Sequence, residues 1–242
     1  MTRDEGTAPA SGGYDLLIDP SLAPCPARIG LIWAEEIDPP ARALGSPSFL
    51  DELLARAGDL GASFIPEERR KAVRAMLRHG KYRASGRGKP ASEFLLRAAI
   101  EGSFPRVSGP VDVNNAVSLA SGLPGSVFDS DLSGHRLLLR RGRSGEEYTF
   151  NASGQTIDLE DLLLVCRDVG GAWVPCGNPV KDAMDTKIRA ETRGILAVLY
   201  APLTVAVDEL DGHLSQFEDL LVSHCGARRA GRRIVSPPTA GT

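Results

Sequence analysis

The stretch VDVNNAVSLASGLPGSVFD, residues 111–129, holds the side chains of this chain best suited to chemistry. If Asp112 starts a helix, Val113, Ala116, Val117 and Ala120 form an apolar stripe, while Asp112, Asn115 and Ser118 fall along another face at three-residue spacing. Gly122 and Pro124 end such a helix. Asp112 fits an N-cap as readily as a pocket wall. Asn115 is harder to assign to structure alone, because asparagine is mildly unfavourable inside a helix. Its amide both donates and accepts, which suits holding a polar substrate. Pro124, Gly125 and Ser126 then read as a turn with exposed backbone N–H groups, ahead of Val127, Phe128 and Asp129. The stretch can therefore be both a core helix and the wall of a polar pocket.

Other catalytic patterns are missing. There is no Gly-x-Ser-x-Gly elbow. His79, His135, His213 and His224 have no ligand spacing, and Cys25, Cys166, Cys176 and Cys225 contain no Cys-x-x-Cys pair. No metal and no cofactor are expected, and the cysteines read as free thiols in a reducing compartment. Residues 81–89 form a basic loop with Lys81, Arg83, Arg87 and Lys89. Its Gly86-x-Gly88-Lys89 lacks the Walker spacing, so it is not a nucleotide-binding phosphate loop.

The elements that must position these residues follow from periodicity. Residues 14–36 read as strand, proline-rich turn and strand; 48–60, 66–78 and 92–100 carry helical spacing. Short strands are expected at 136–141, 147–150, 155–159, 162–167, 172–176 and 195–200, and a last helix over 205–225. Helices first, strands second and a closing helix give an α+β fold with a mostly antiparallel or barrel-like sheet. The chain has 242 residues, 42% of them hydrophobic, enough to bury a core without staples. A single domain over 14–226 is expected, with a disordered polar leader at 1–13 and a flexible, basic and proline-rich tail at 227–242. A net charge of -3 argues against general duplex binding but permits a few local contacts to a nucleic acid end. No apolar run approaches the roughly 20 residues of a membrane helix, so a soluble, cytoplasmic protein is expected. The oligomeric state is not legible.

The residues from about 81 to 202 resemble the editing module of the phenylalanyl-tRNA synthetase beta subunit, its third and fourth domains, and free-standing relatives of it. The landmarks are Val111-Asp112-x-x-Asn115-x-Val117-Ser118-Leu119, Gly122-Leu123-Pro124-x-x-x-Phe128-Asp129, and Leu132-x-Gly134 leading into a strand. Arg140 before Gly145-Glu146-Glu147 follows, then Asp168, Asp182 and Thr186 to Thr192. The resemblance implies a trans-acting deacylase that hydrolyses the ester of a mischarged tRNA, with the charged 3′ end as partner and water as nucleophile. It implies catalytic roles for Asn115, Ser126 and Glu146, with Glu146 meeting the substrate ammonium. Asp112, Ser118, Gly125, Asp129, Asp182 and Thr192 would bind substrate, and Lys81, Arg83, Arg87, Lys89, Lys181 and Lys187 would face the tRNA. One departure stands out: the bacterial synthetases typically carry histidine where this chain has Ser126. Activation of water would then rest on the neighbouring ribose hydroxyl. A non-catalytic module that only holds tRNA or a protein is the alternative.

Overall fold

The run 195–201 is uninterruptedly apolar, which a strand covered on both faces requires. The computed structural model describes residues 13–39 and 47–237. In chain order these form β1 (Asp15–Ile18), β2 (Ala27–Glu35), α1 (Ser48–Leu60), α2 (Glu67–Leu77), α3 (Ala91–Ile100), α4 (Gly109–Ser121) and β3 (Gly125–Asp129). A single helical turn, α5 (Ser130–Ser133), precedes β4 (Arg136–Arg141), β5 (Glu147–Thr149), β6 (Thr156–Asp158), β7 (Leu163–Val169) and β8 (Ala172–Gly177). β9 (Gly194–Pro202), α6 (Val207–Cys225) and β10 (Arg229–Val235) complete the order.

Every residue of β9 is buried. It pairs antiparallel with β2, from Ala27 opposite Pro202 to Glu35 opposite Gly194, and on its other side with β3. The sheet order is β10-β2-β9-β3, which leaves β3 on a free edge. A second sheet runs β1-β4-β7-β8; only its β1–β4 pair is parallel. β5 and β6 make a separate hairpin. The fold is α+β with open, largely antiparallel sheets and flanking helices; among the described residues no sheet closes into a barrel. One core joins both sheets, with Ile29, Leu31, Leu196 and Val198 from the first and Leu137, Leu139, Leu163 and Val165 from the second. α6 lays Leu210, Leu214, Phe217 and Leu221 into it, each worth about 1.5–3 kcal/mol on full burial. A second cluster gathers α1, α3 and α4 through Leu50, Leu95, Leu96, Ala116 and Leu119.

Two expectations are corrected. α4 begins at Gly109, with Pro110 in its first turn and Ser108 at the cap position, so Asp112 is not the N-cap. It stops at Gly122, whose φ of 70° lies in the left-handed region. The second correction concerns the tail. Residues 229–235 are not loose: β10 pairs along its whole length with β2, and Arg233 pairs with Asp15. Its arginines suit an outer strand, where charge discourages further pairing. Residues 1–12, most of the expected leader, and 238–242 lie outside the described residues.

Candidate functional site

A cavity of about 270 Å³ opens where α4, the free edge of β3 and the segment 178–188 between β8 and β9 meet. Asn114, Asn115, Gly125, Lys181, Asp182 and Lys187 supply its polar wall; Val107, Val111, Val127, Val180 and Ile188 supply the apolar one.

α4 turns adjacent asparagines toward this space. Asn115 is half-buried, and Asn114 is buried with an Oδ1 that has no hydrogen-bond partner. Beside them runs the β3 edge. Tyr200 donates its N–H to Pro124 and the Val127 N–H bonds Asp182, so residues 126 and 128 face β9 while 125 and 127 turn outward. The Gly125 N–H is thus aimed off the sheet at the cavity wall. A Cβ on Gly125 would stand 2.7 Å from Asn114 Oδ1 and 3.0 Å from Leu199 Cδ2. Only glycine lets the amide and the strand approach this closely.

The third wall is built by Asn178. Its Oδ1 accepts the N–H groups of Val180 (2.7 Å) and Lys181 (3.0 Å), a local turn favoured in an Asn-Pro pair. Its Nδ2 donates to the Tyr148 hydroxyl (2.5 Å), which donates to the Lys181 carbonyl (2.6 Å). Asp182 follows. Burial pushes its carboxyl up to about 7, against the pull of the Ser126 hydroxyl, the Lys187 charge and the Val127 and Asn178 N–H groups. Its Oδ1 is enclosed and unpartnered, although part of the residue reaches the cavity. Burial lowers the Lys187 ammonium; Asp182 opposes this and Lys181 reinforces it. Lys187 bonds the Phe150 carbonyl, and Lys181 Nζ sits 3.7 Å from the Phe150 ring centroid.

A basic groove continues from this cavity. It shares Ala91, Asn115, Val180 and Lys181 with it and is lined further out by Arg87 and Lys89. Seven of the residues singled out in the sequence therefore border one connected space: Asn115, Gly125, Asp182, Lys181, Lys187, Arg87 and Lys89.

The others lie elsewhere. Glu146 is held by Arg140 through both oxygens (2.8 and 2.7 Å) and accepts the Arg143 N–H (2.7 Å). Burial alone would raise its carboxyl, but these bonds outweigh it and hold the value below the ordinary one. It neutralises an arginine whose side chain is 3% exposed and does not line the cavity. Ser126 is not in an exposed turn: it is buried within β3, its Oγ 3.1 Å from the Tyr200 hydroxyl. The shared face expected for Asp112, Asn115 and Ser118 breaks up. Asp112 accepts the Val107 N–H (2.7 Å) and Ser118 donates to the Leu123 carbonyl (2.7 Å), both structural bonds that fix the ends of α4. Asp129 caps α5 through the Asp131 N–H and accepts the Thr192 hydroxyl (2.7 Å), so that pair secures a turn away from the cavity. Lys81 pairs with Glu160 (2.9 Å), and Arg83 donates to the Gly80 and Tyr82 carbonyls of its own loop. Sequence reasoning passed over Asn114 and Asn178; the Asn-Asn and Asn-Pro pairs were the available signals.

The sequence profile of the B3/4 domain matches residues 83–211. The chain belongs to the B3/4 domain family. The matched region contains both the cavity and the basic groove. The chain is 30% identical over 122 residues to the phenylalanine–tRNA ligase beta subunit of Cutibacterium acnes, an alignment covering 49% of this chain and 14% of that protein. The B3/4 chain thus matches a small part of that curated relative's length. Among solved structures, an N-terminal fragment of the phenylalanyl-tRNA synthetase beta-subunit from Pyrococcus horikoshii aligns over 92% of this chain and 50% of its own, at 8% identity and a TM-score of 0.46. Among the described residues no group of three or more His, Cys, Asp or Glu converges as a metal site, and no helix is long and apolar enough to cross a membrane.

Proposed function

We propose that this B3/4 protein hydrolyses the ester of a mischarged aminoacyl-tRNA, acting in trans. The observation that carries the reading is the cavity in which Asn115, the outward Gly125 N–H and Asp182 face a common space continuous with a basic groove. Kinship over part of its length with a phenylalanine–tRNA ligase beta subunit supports it.

An aminoacyl ester fits this chemistry. Its side chain enters between Val107, Val111, Val127, Val180 and Ile188. Its α-ammonium meets Asp182, and the arriving positive charge restores the ionised carboxylate that burial disfavours. The Asn115 amide and the Gly125 N–H lie where donors must stabilise the carbonyl oxygen as it gains charge. Water adds to the carbonyl carbon, the bond to the ribose oxygen breaks, and that oxygen takes a proton. An ester already reactive toward water needs positioning and charge stabilisation more than a protein nucleophile. The neighbouring ribose hydroxyl can orient the water.

A panel of mischarged tRNAs incubated with the protein tests the proposal. Release of amino acid from at least one pair is expected, and Asn115→Ala should slow it by about a hundredfold with unchanged circular dichroism. No release above the buffer rate for any pair, at substrate-level enzyme, would remove the catalytic reading. A second reading, binding without hydrolysis, is favoured by one observation. The position of the synthetases' histidine is a buried serine that does not line the cavity and whose hydroxyl meets Tyr200 and Asp182. Saturable tRNA binding with no turnover would establish it.

A further inference from the structure

The groove beside the cavity has about 500 Å³ and a wall unlike the rest of the surface. Phe94 stands in it, 63% exposed, the most exposed large hydrophobic side chain among the described residues. Its own helix does not need it there: α3 packs through Leu95, Leu96, Ala98 and Ala99 on its other side. Pro105 continues the apolar shelf, and Arg87, Lys89, Arg97 and Lys181 frame it. Among the described residues the Arg87 and Lys89 side chains make no ion pair or hydrogen bond. Glu93, the one carboxylate in the wall, is bound by Arg74 through both oxygens, which cancels its charge. Arg97 is paired with Glu101, so Arg87, Lys89 and Lys181 carry the net positive field around the aromatic face.

That combination selects a nucleobase attached to phosphate. Every base has a π-face to stack on an aromatic ring, and flanking cations take the backbone. We propose that this groove holds the terminal nucleotide of a single-stranded RNA, with its base stacked on Phe94 and its phosphate between Arg87 and Lys89. The inference rests on the reading that the adjoining cavity receives an aminoacyl ester. Asn115, Ala91, Val180 and Lys181 border both spaces, so a nucleotide stacked on Phe94 would present its ribose to the cavity mouth. Recognition by stacking and charge would make the site tolerant of RNA sequence and sensitive to salt.

The probe is an uncharged, 5′-labelled RNA trinucleotide ending in adenosine, titrated by fluorescence anisotropy into the full chain at several salt concentrations. Phe94→Ala should weaken binding about tenfold, since one stacked base contributes roughly that much or more, and Phe94→Trp should keep it. A trinucleotide with an abasic 3′ residue should bind the unaltered chain as weakly as the complete RNA binds Phe94→Ala, with no further loss when the two changes are combined. Lys89→Ala should weaken binding and flatten its salt dependence. Unchanged affinity in Phe94→Ala, additive losses with the abasic RNA, or no saturable binding would each overturn the inference. The probe has no ester, so its binding does not depend on hydrolysis. Hydrolysis of mischarged tRNA with an unaltered KM in Phe94→Ala would overturn the stacking site and leave the proposed reaction standing.

Discussion

Replacing Asp182 by Asn should remove a large pH dependence of stability. Burial raises this carboxyl from 3.8 to about 7. Its folded value lies above its unfolded one, so the unfolded chain gives up the proton first. Between those values the unfolded state binds fewer protons, and stability falls as pH rises through the window, levelling off above about 7. At about 1.4 kcal/mol per tenfold, the whole shift corresponds to about 4 kcal/mol. Part of the residue reaches the cavity, where water screens it, so about 2 kcal/mol between pH ~5 and ~8 is the working expectation. Asn has nearly the same shape and its carbonyl can still accept the Val127 and Asn178 N–H groups. Urea unfolding of both proteins at intervals across that range gives the difference directly, and carboxylates and histidines elsewhere cancel in the subtraction. The unaltered chain should lose stability relative to Asp182→Asn as pH rises. Curves that stay parallel across the range would refute the burial that raises this carboxyl.

Glu146→Gln should cost about 2–3 kcal/mol, because it leaves the buried Arg140 without a counter-charge. Thermal unfolding would show it, while the hydrolysis rate of the folded variant should be unchanged. Gly125→Ala should press a methyl group against Asn114 Oδ1 and Leu199, displacing the amide. Hydrolysis should fall at least about tenfold for about 1–3 kcal/mol of stability, compared by single-turnover rates and urea unfolding. Ending the chain before Arg229 should strip β10 from β2 and leave a full edge of unpaired N–H and C=O groups. Light scattering and size-exclusion chromatography should report association or precipitation.

Much of the fold was legible because its periodicities are long and clean. The strand over 136–141 coincides with β4, and the helix over 48–60 with α1. The C-terminal helix was marked by Leu210, Leu214, Phe217 and Leu221. β10 was missed because RAGRRIV carries three arginines and two small residues, a composition that reads as solvated chain. Only its place outside β2, where pairing supplies the backbone bonds and Asp15, Asp211 and Glu218 meet its charges, makes it a strand. The early start of α4 is a smaller case: Gly109 and Pro110 punctuate loops elsewhere, yet a proline in a first helical turn forfeits no bond.

The site was less legible for a reason that runs through all its misplacements. A polar side chain in a sequence announces that it needs a partner, not which partner it finds. Glu146 carries a charge fit for an ammonium, but Arg140 lies six residues back on β4 and takes both its oxygens. Asp112 and Ser118 share a helix with Asn115, yet each lies within reach of a backbone group at a helix end and is used there. Asn115 sits mid-helix, and neither end of α4 reaches its amide. Asn114 was hidden by the same logic in reverse. One step around the helix, it points toward a glycine on an edge strand, and nothing local shows that Gly125 will be there. What marks two of the cavity's groups is the partner each lacks. Asn114 and Asp182 each keep a buried acceptor unbonded, and both border a cavity where an ammonium could supply the missing donors. Such a ligand would lower the free energy of the site by satisfying acceptors the fold leaves open. Substrate binding should accordingly be tighter for esters with a free α-amine than for the same esters N-acetylated.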